Sequence, residues 1–222
     1  MQIKAVLFDL GGTLIKTAAI PEIFKSILQT HGVNVPIEEI REAHRGVEES
    51  EVVEGMLEGG QDFWIGWNLK VLERVGLQAD RDFLAKKIDE LWWEYADLEI
   101  YPDVIGTLTQ LKAKGVKTGV ITNGLKRDYE KILDKLRLTN FFDVVVGIDT
   151  LNKAKPDKEI FLHTVNLLGV HPKQAVFIGD SVKYDYEGAR HAGLKPLLID
   201  REGKASESVE TIRSLSEVLL HV

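Results

Sequence analysis

Val6-Leu7-Phe8-Asp9-Leu10-Gly11-Gly12-Thr13-Leu14 is the stretch that decides the fold. Four apolar or aromatic residues, Ala5 to Phe8, run straight into a carboxylate, and two glycines then break the run. A short apolar run that ends so abruptly spells a buried parallel strand. It places Asp9 at the strand's carboxyl end, the edge at which open α/β sheets bind their ligands. An aspartate there is a nucleophile, a metal ligand or a turn-forming residue.

Beyond about residue 103, strand-like and helix-like runs alternate at short intervals. Lys117–Thr122, Asp143–Val146, Ala175–Gly179 and Pro196–Ile199 read as strands. The first and third are continuous apolar runs, as strands covered on both faces require. Helical patterns lie between them. One starts near Asp103, carries Ile105, Leu108 and Leu111 at spacing three, and stops at Gly115. The others are Arg127–Leu138, Lys158–Leu168, Asp185–Ala192 closed by Gly193, and a terminal helix over Ser208–Leu220. This βαβ rhythm predicts an α/β fold with a doubly wound parallel sheet.

Residues 17–100 have helical periodicity and no convincing strand. Pro21–Thr30, Ile37–Glu54, Gln61–Val75 and Arg81–Asp97 are the candidate helices, and all four tryptophans of the chain (64, 67, 92 and 93) fall among them. The expectation is a core domain made of residues 1–16 and 101–222, with an all-helical domain, 17–100, inserted after the first strand. The connections near Ile15–Ala19 and Leu98–Pro102 are its hinges. Trp64, Trp67, Trp92 and Tyr95 are read as packing inside the helical bundle.

The chain's 222 residues are 44% hydrophobic and 28% charged, ordinary for a soluble globular protein. No apolar run approaches the ~18 residues that cross a bilayer, and Asp9 interrupts the N-terminal apolar stretch too early for a signal peptide. With no cysteine there is no disulfide and no thiolate metal site, and a cytoplasmic location is expected. The net charge of −7 argues against nucleic acid as a partner and requires local positive charge for any anionic substrate.

Four short stretches fall at strand ends or loops: Asp9-x-Gly11-x-Thr13, Thr122-Asn123-Gly124, Lys155-Pro156-Asp157, and Gly179-Asp180-Ser181 with Asp185 five positions after Asp180. Each alone could be a turn or a helix start. Together they supply the parts of a phosphoryl-transfer site. Asp9 and Asp180 can share one hard cation, and Mg2+ prefers one or two carboxylates plus phosphate and water. Lys155 brings positive charge to the phosphate, while the Thr122 hydroxyl and the Asn123 backbone N–H are donors for its oxygens. An oxygen of Asp9 is free to attack phosphorus.

In these motifs, and in Tyr101-Pro102-Asp103-Val104, Phe142-Asp143, Lys155–Phe161 and Gly188-Ala189…Ala192-Gly193, nearly the whole chain resembles the haloacid dehalogenase superfamily of hydrolases, in the subgroup with a helical cap. The resemblance implies a Rossmann-like core and makes Asp9 the nucleophile, Thr122 the phosphate-binding residue of the second motif and Lys155 the third. It makes Asp180 a metal ligand supported by Asp185, with the Gly11 backbone carbonyl as a further ligand and Mg2+ as cofactor. Thr13, Thr122, Asn123 and Lys155 form the candidate substrate-binding set. The implied partner is a small phosphorylated metabolite, handled by a monomer or homodimer without membrane or nucleic acid.

One position departs from the family's phosphatase pattern. The second aspartate, two residues after the nucleophile, is here Gly11. In the family that aspartate protonates the leaving oxygen and then activates the hydrolytic water. General acid–base help is typically worth ~10²–10⁴ in rate, so poor leaving groups are expected to react slowly unless another residue supplies the proton. Lys16, His31, Glu42 and His44 are available, and none is singled out by the sequence. Three alternatives to a phosphatase follow from Gly11: a dehalogenase-type hydrolase, a phosphonate hydrolase using a cap lysine, and a catalytically weak phosphate-binding protein. The intact Gly179-Asp180 and Asp185 argue against the first, and retention of Asp9, Lys155 and Asp180 against the last.

Overall fold

The computed structural model describes residues 2–45, 49–204 and 209–222. The chain divides into two compact units, one of residues 1–16 with 99–222, the other of residues 17–98.

The first unit is built on β1 (Ala5–Phe8), β2 (Ile15–Lys16), β3 (Glu99–Ile100), β4 (Lys117–Ile121), β5 (Val144–Val146), β6 (Ala175–Gly179), β7 (Lys195–Ile199) and β8 (Thr211–Ile212). Six of them form one sheet in the order β5-β4-β1-β6-β7-β8, with every pairing parallel. β2 and β3 form a separate antiparallel pair, which the sequence did not announce. β1 is fully buried and sits centrally, because a four-residue apolar run has no polar face to offer solvent. The chain leaves β1 for β4 on one side and β6 on the other. The carboxyl end of β1 is therefore a topological switch point, where the crossover loops diverge and leave a crevice. On one side of the sheet, Leu7 and Phe177 pack with Ile160, Phe161 and Val165 of the helix Lys158–Leu167. The Phe161 and Phe177 rings meet edge to face at 5.0 Å.

The expected strands appear to within about a residue at each end, but three expected helices of this unit do not survive intact. Ser208–Leu220 is not a helix. Ser208 lies outside the described residues, β8 pairs in parallel with β7, and only Leu215–Leu220 is helical, as a 3₁₀ turn. Its buried side chains are Leu215 and Val218, at the spacing of three that suits a 3₁₀ turn, and Ser214 with Glu217 caps it. Asp185–Ala192 divides into a wide π-type turn over Val182–Tyr186 and a helix over Glu187–His191. Arg127–Leu138 is helical only over Lys126–Lys135, and Arg137 takes a left-handed backbone conformation beyond it. The short helix Ile148–Leu151 was not foreseen.

The second unit holds α1 (Ile20–Thr30), α2 (Ile37–Ala43), α3 (Glu49–Gly59), α4 (Phe63–Arg74) and α5 (Arg81–Tyr95). Ile37–Glu54 is thus not one helix: α2 stops at Ala43, and the segment reaches α3 through residues 46–48, which lie outside those described. The core of this unit is aliphatic and aromatic, with Phe24, Ile27, Leu28, Leu72, Leu84 and Ile88 buried along their helices at helical spacing. Trp67, Trp92 and Trp93 pack against it. Trp64 is half-buried and meets Phe63 edge to face at 4.9 Å. Tyr95, expected inside, is exposed: it is the last residue of α5, where the helix runs out of the packed core.

Candidate active site

Asp9 follows β1, and its N–H donates to the Ile178 carbonyl at 2.8 Å, so the first residue past the strand is still held by the sheet. Lys155 reaches it from the segment before the helix Lys158–Leu167. The Lys155 Nζ donates to Asp9 Oδ1 at 2.6 Å and to Asp185 Oδ1 at 2.6 Å. Asp185 is brought there by the turn after β6. The Asp185 and Tyr186 N–H groups both donate to the Ser181 carbonyl at 3.1 Å, which widens the turn beyond α-helical geometry. The Ser181 N–H in turn donates to Asp185 Oδ2 at 3.0 Å. Two glycines make this closeness possible. A Cβ at Gly179 would overlap the Asp185 side chain, and one at Gly12, which has φ of +73°, would overlap the Asp180 carboxylate.

Asp9, Asp180 and Asp185 each place a carboxylate oxygen within 4.8 Å of the others. Asp180 is exposed, while Asp9, Asp185 and Lys155 are all more than nine-tenths buried. Burial pushes the Asp9 carboxyl up; the Lys155 charge pulls against it and the Asp185 charge pushes it up again, for a net upward shift. Burial likewise opposes the charge on Lys155, but Asp185 and Asp9 together outweigh it and hold the ammonium above its ordinary value. Lys155 is therefore a fixed cation, and the buried carboxylates compete for a single positive charge. A cluster of three carboxylates offering only oxygen suits a hard cation such as Mg2+. The Lys155 ammonium occupies one oxygen each of Asp9 and Asp185 and leaves the second oxygen of Asp9 for other work.

The family profile of haloacid dehalogenase-like hydrolases matches residues 3–193. The chain belongs to that family. It is 34% identical over 206 residues to glyceraldehyde 3-phosphate phosphatase of Methanopyrus kandleri, across 91% of this chain and 85% of the relative. It is 31% identical over 203 residues to phosphoglycolate phosphatase 1 of Pseudomonas aeruginosa, across 86% and 67%. The crystal structure of a HAD phosphatase from Thermococcus onnurineus is similar with a TM-score of 0.66 at 29% identity, covering 97% of this chain and 96% of the other.

This haloacid dehalogenase-like hydrolase gathers Asp9, Lys155, Asp180 and Asp185 from three of its four motifs into one cluster. The remaining motif, Thr122-Asn123-Gly124, is tied in through Asn123. The Asn123 carboxamide brackets the Lys155 backbone, accepting from the Lys155 N–H at 2.7 Å and donating to the Lys155 carbonyl at 3.1 Å. That role of the side chain was not read from sequence, since it depends on a contact across 32 residues. Thr122 is buried at the end of β4, and its hydroxyl accepts the Gly124 N–H at 3.1 Å, which leaves its own proton to give. Thr13 departs from expectation. Its side chain has no solvent exposure and its buried hydroxyl has no partner, so in this conformation it does not reach a substrate. The Thr13 carbonyl is instead taken by Arg201, a residue the motifs do not mark. At Gly11 a Cβ would meet nothing within 4 Å, so the glycine is not imposed by crowding.

Proposed function

We propose that this hydrolase is a magnesium-dependent phosphatase that cleaves a small phosphorylated metabolite through an aspartyl phosphate on Asp9. The observation that carries the reading is the convergence of the Asp9 and Asp185 carboxylates on one buried ammonium, Lys155, with Asp180 within 4.8 Å. Similarity to phosphatases that act on glyceraldehyde 3-phosphate and phosphoglycolate supports it. The free oxygen of Asp9 attacks phosphorus and the bond to the leaving oxygen breaks. Water then attacks the phosphorus of the acyl phosphate and regenerates Asp9. Lys155, the Thr122 hydroxyl and the Asn123 N–H hold the phosphoryl oxygens, in a site whose burial strengthens each of these charges and dipoles. Asp9, Asp180, the Gly11 carbonyl and Asp185 would hold Mg2+, which when bound offsets phosphate charge. In this reading the helical unit, residues 17–98 rather than the expected 17–100 because Glu99 and Ile100 pair with β2, is the cap that selects the substrate, and the protein works in the cytoplasm as a monomer or homodimer.

The test is a panel of phosphorylated metabolites, including three-carbon and two-carbon phosphates, assayed with Mg2+ and with EDTA. Release of inorganic phosphate that requires Mg2+ is expected. Full hydrolysis in the chelator, or no phosphate from any substrate, would overturn the reading.

A further inference from the structure

We propose that Arg201 is a positioning residue for the reaction, fixing the turn that follows the nucleophile. Arg201 lies two residues beyond β7, far in sequence from the four motifs. Its guanidinium grips both oxygens of Asp103, at 2.8 and 3.1 Å, and donates to the Thr13 carbonyl at 2.9 Å. The same plane stacks over the Tyr101 ring at 3.8 Å. Asp103 also accepts from the Ser214 hydroxyl at 3.0 Å and the Leu215 N–H at 2.8 Å. Four separate segments of the core thus meet on one ion pair, and its side chains are only 20% and 17% exposed.

Thr13 is four residues past Asp9, in a turn tied together by its own hydrogen bonds. The Leu14 and Ile15 N–H groups both donate to the Leu10 carbonyl, the Gly12 N–H donates to the Ile15 carbonyl, and the Tyr101 N–H donates to the Leu14 carbonyl. Gly12 of this turn lies against Asp180. Arg201 therefore holds the turn from behind, and the turn in its place sets Asp9 and Asp180. The planar fork matters here: it serves a carboxylate and a carbonyl at once, which a lysine ammonium on a single stem does not reproduce. A clamp that only stabilised the fold would change the melting temperature and leave the chemistry of the folded enzyme alone. A positioning clamp changes the chemistry of the folded enzyme.

The catalytic half of this inference rests on the phosphatase reading, so the test has two readouts. Two variants are compared with the wild-type protein: Arg201→Lys, which keeps a cation beside Asp103, and Arg201→Met with Asp103→Asn, which leaves no buried charge unpaired. The first readout is amide hydrogen exchange of the segment 10–16 against that of β6, and needs no activity. Exchange in the turn is expected to rise while β6 is unchanged. The second readout is kcat and KM on p-nitrophenyl phosphate at saturating Mg2+. In Arg201→Lys, kcat is expected to fall about tenfold with KM within about twofold, as a small misplacement of reacting groups would cause. Unchanged exchange in the turn in both variants overturns the proposal, whatever the activity. Raised exchange with wild-type kcat overturns the catalytic half. Raised exchange with a wild-type enzyme inactive both on p-nitrophenyl phosphate and on the panel of phosphorylated metabolites supports the clamp and overturns the phosphatase reading instead.

Discussion

The two units of this hydrolase solve opposite packing problems. The core buries charge: Asp9, Lys155 and Asp185 are enclosed together, and Arg201 with Asp103 nearly so. The helical unit buries hydrocarbon and rings. Among its described residues the one buried polar side chain is Asn68, whose amide donates to the Ala85 carbonyl at 3.2 Å. The ion pairs of the helical unit, such as Lys87–Glu90 and Arg81–Glu73, lie at the surface. Buried charges are costly unless paired and hydrogen-bonded, and an apolar core of equal volume is often the more stable choice. Their concentration beside Asp9 marks the place where electrostatics serve chemistry. Apolar helix packing is non-directional and tolerates substitution of like volume, so the helical unit is free to vary.

The comparison is broken most sharply at Asp9. Asp9→Asn keeps the shape and leaves Lys155 paired with Asp185, so the protein stays folded. Without the nucleophilic oxygen, turnover is expected to fall by ~10⁴ or more, the scale on which nucleophile removal acts in hydrolases. Steady-state kinetics with circular dichroism on the same sample checks both halves. A variant with wild-type rate would rule out the covalent route.

Lys155 measures the cost of buried charge directly. Lys155→Met leaves the buried Asp9 and Asp185 carboxylates without their cation. Urea unfolding in EDTA is expected to show a loss of about 3–5 kcal/mol, the usual consequence of removing one partner of a buried pair. Lys87→Ala, which removes a surface partner of Glu90 in the helical unit, is expected to cost about 0.5 kcal/mol or less. Equal losses at the two sites would erase the distinction between the units.

Gly11 sharpens the chemical side. With no carboxyl group at that position, weakly basic leaving groups such as aryl phosphates are expected to react faster than alkyl phosphates. A Cβ at Gly11 meets nothing within 4 Å, so Gly11→Asp meets no clash where its side chain begins. Even a grafted acid in unoptimised geometry is expected to raise kcat/KM on alkyl phosphates about tenfold, the low end of what general acids supply. The dependence of log kcat/KM on leaving-group pKa is then flatter in the variant. A wild-type line that is already flat would mean that another residue donates the proton.

What could be read in advance divides along the same line. β1 and β6 were legible because strands covered on both faces are continuous apolar runs, and the residue that follows each run is the one placed at the sheet edge. Asp9 and Asp180 follow from that geometry, whereas Lys155 and Asp185 were marked by their motifs and by the resemblance to the family. The β2–β3 pair was hidden because two residues carry no period. The Ser208–Leu220 segment misled because Leu215 and Val218 fit a helix and a 3₁₀ turn equally well. Ile37–Glu54 has a continuous helical period, yet α2 ends at Ala43, where the next ring, His44, turns against Phe24 and Trp67. Arg201 and the Asn123 side chain act through contacts between distant segments, and no local pattern announces those.

His44 is where the helical unit comes closest to the core's strategy, and its predicted effect is confined to acid pH. Its ring meets Phe24 edge to face at 5.5 Å and lies tilted toward Trp67 at 6.3 Å, with Nε2 buried and unpartnered. Burial, and then the charge of Arg74, push its pKa down to about 4. The C-terminal end of α2 favours a protonated imidazole by a few tenths of a kcal/mol, which is too little to reverse the shift. In the unfolded chain His44 titrates near its ordinary value of about 6.5. Above that pH neither state binds the proton and His44 adds no pH dependence. As pH falls from about 6.5 towards 4 the unfolded chain takes up a proton that the folded protein refuses, so stability falls. Below about 4 both states are protonated and the loss is complete. His44→Phe removes this titration and keeps an aromatic ring, while every carboxylate titrates alike in both proteins. The difference between their unfolding free energies, measured from pH 7.5 to 4.5, is therefore expected to move steadily in favour of the variant below about pH 6.5, before most carboxylates begin to protonate. A difference that stays constant over that range would mean that the imidazole is as well solvated in the folded protein as in the unfolded chain, and the helical unit would then bury no titrating group at all among its described residues.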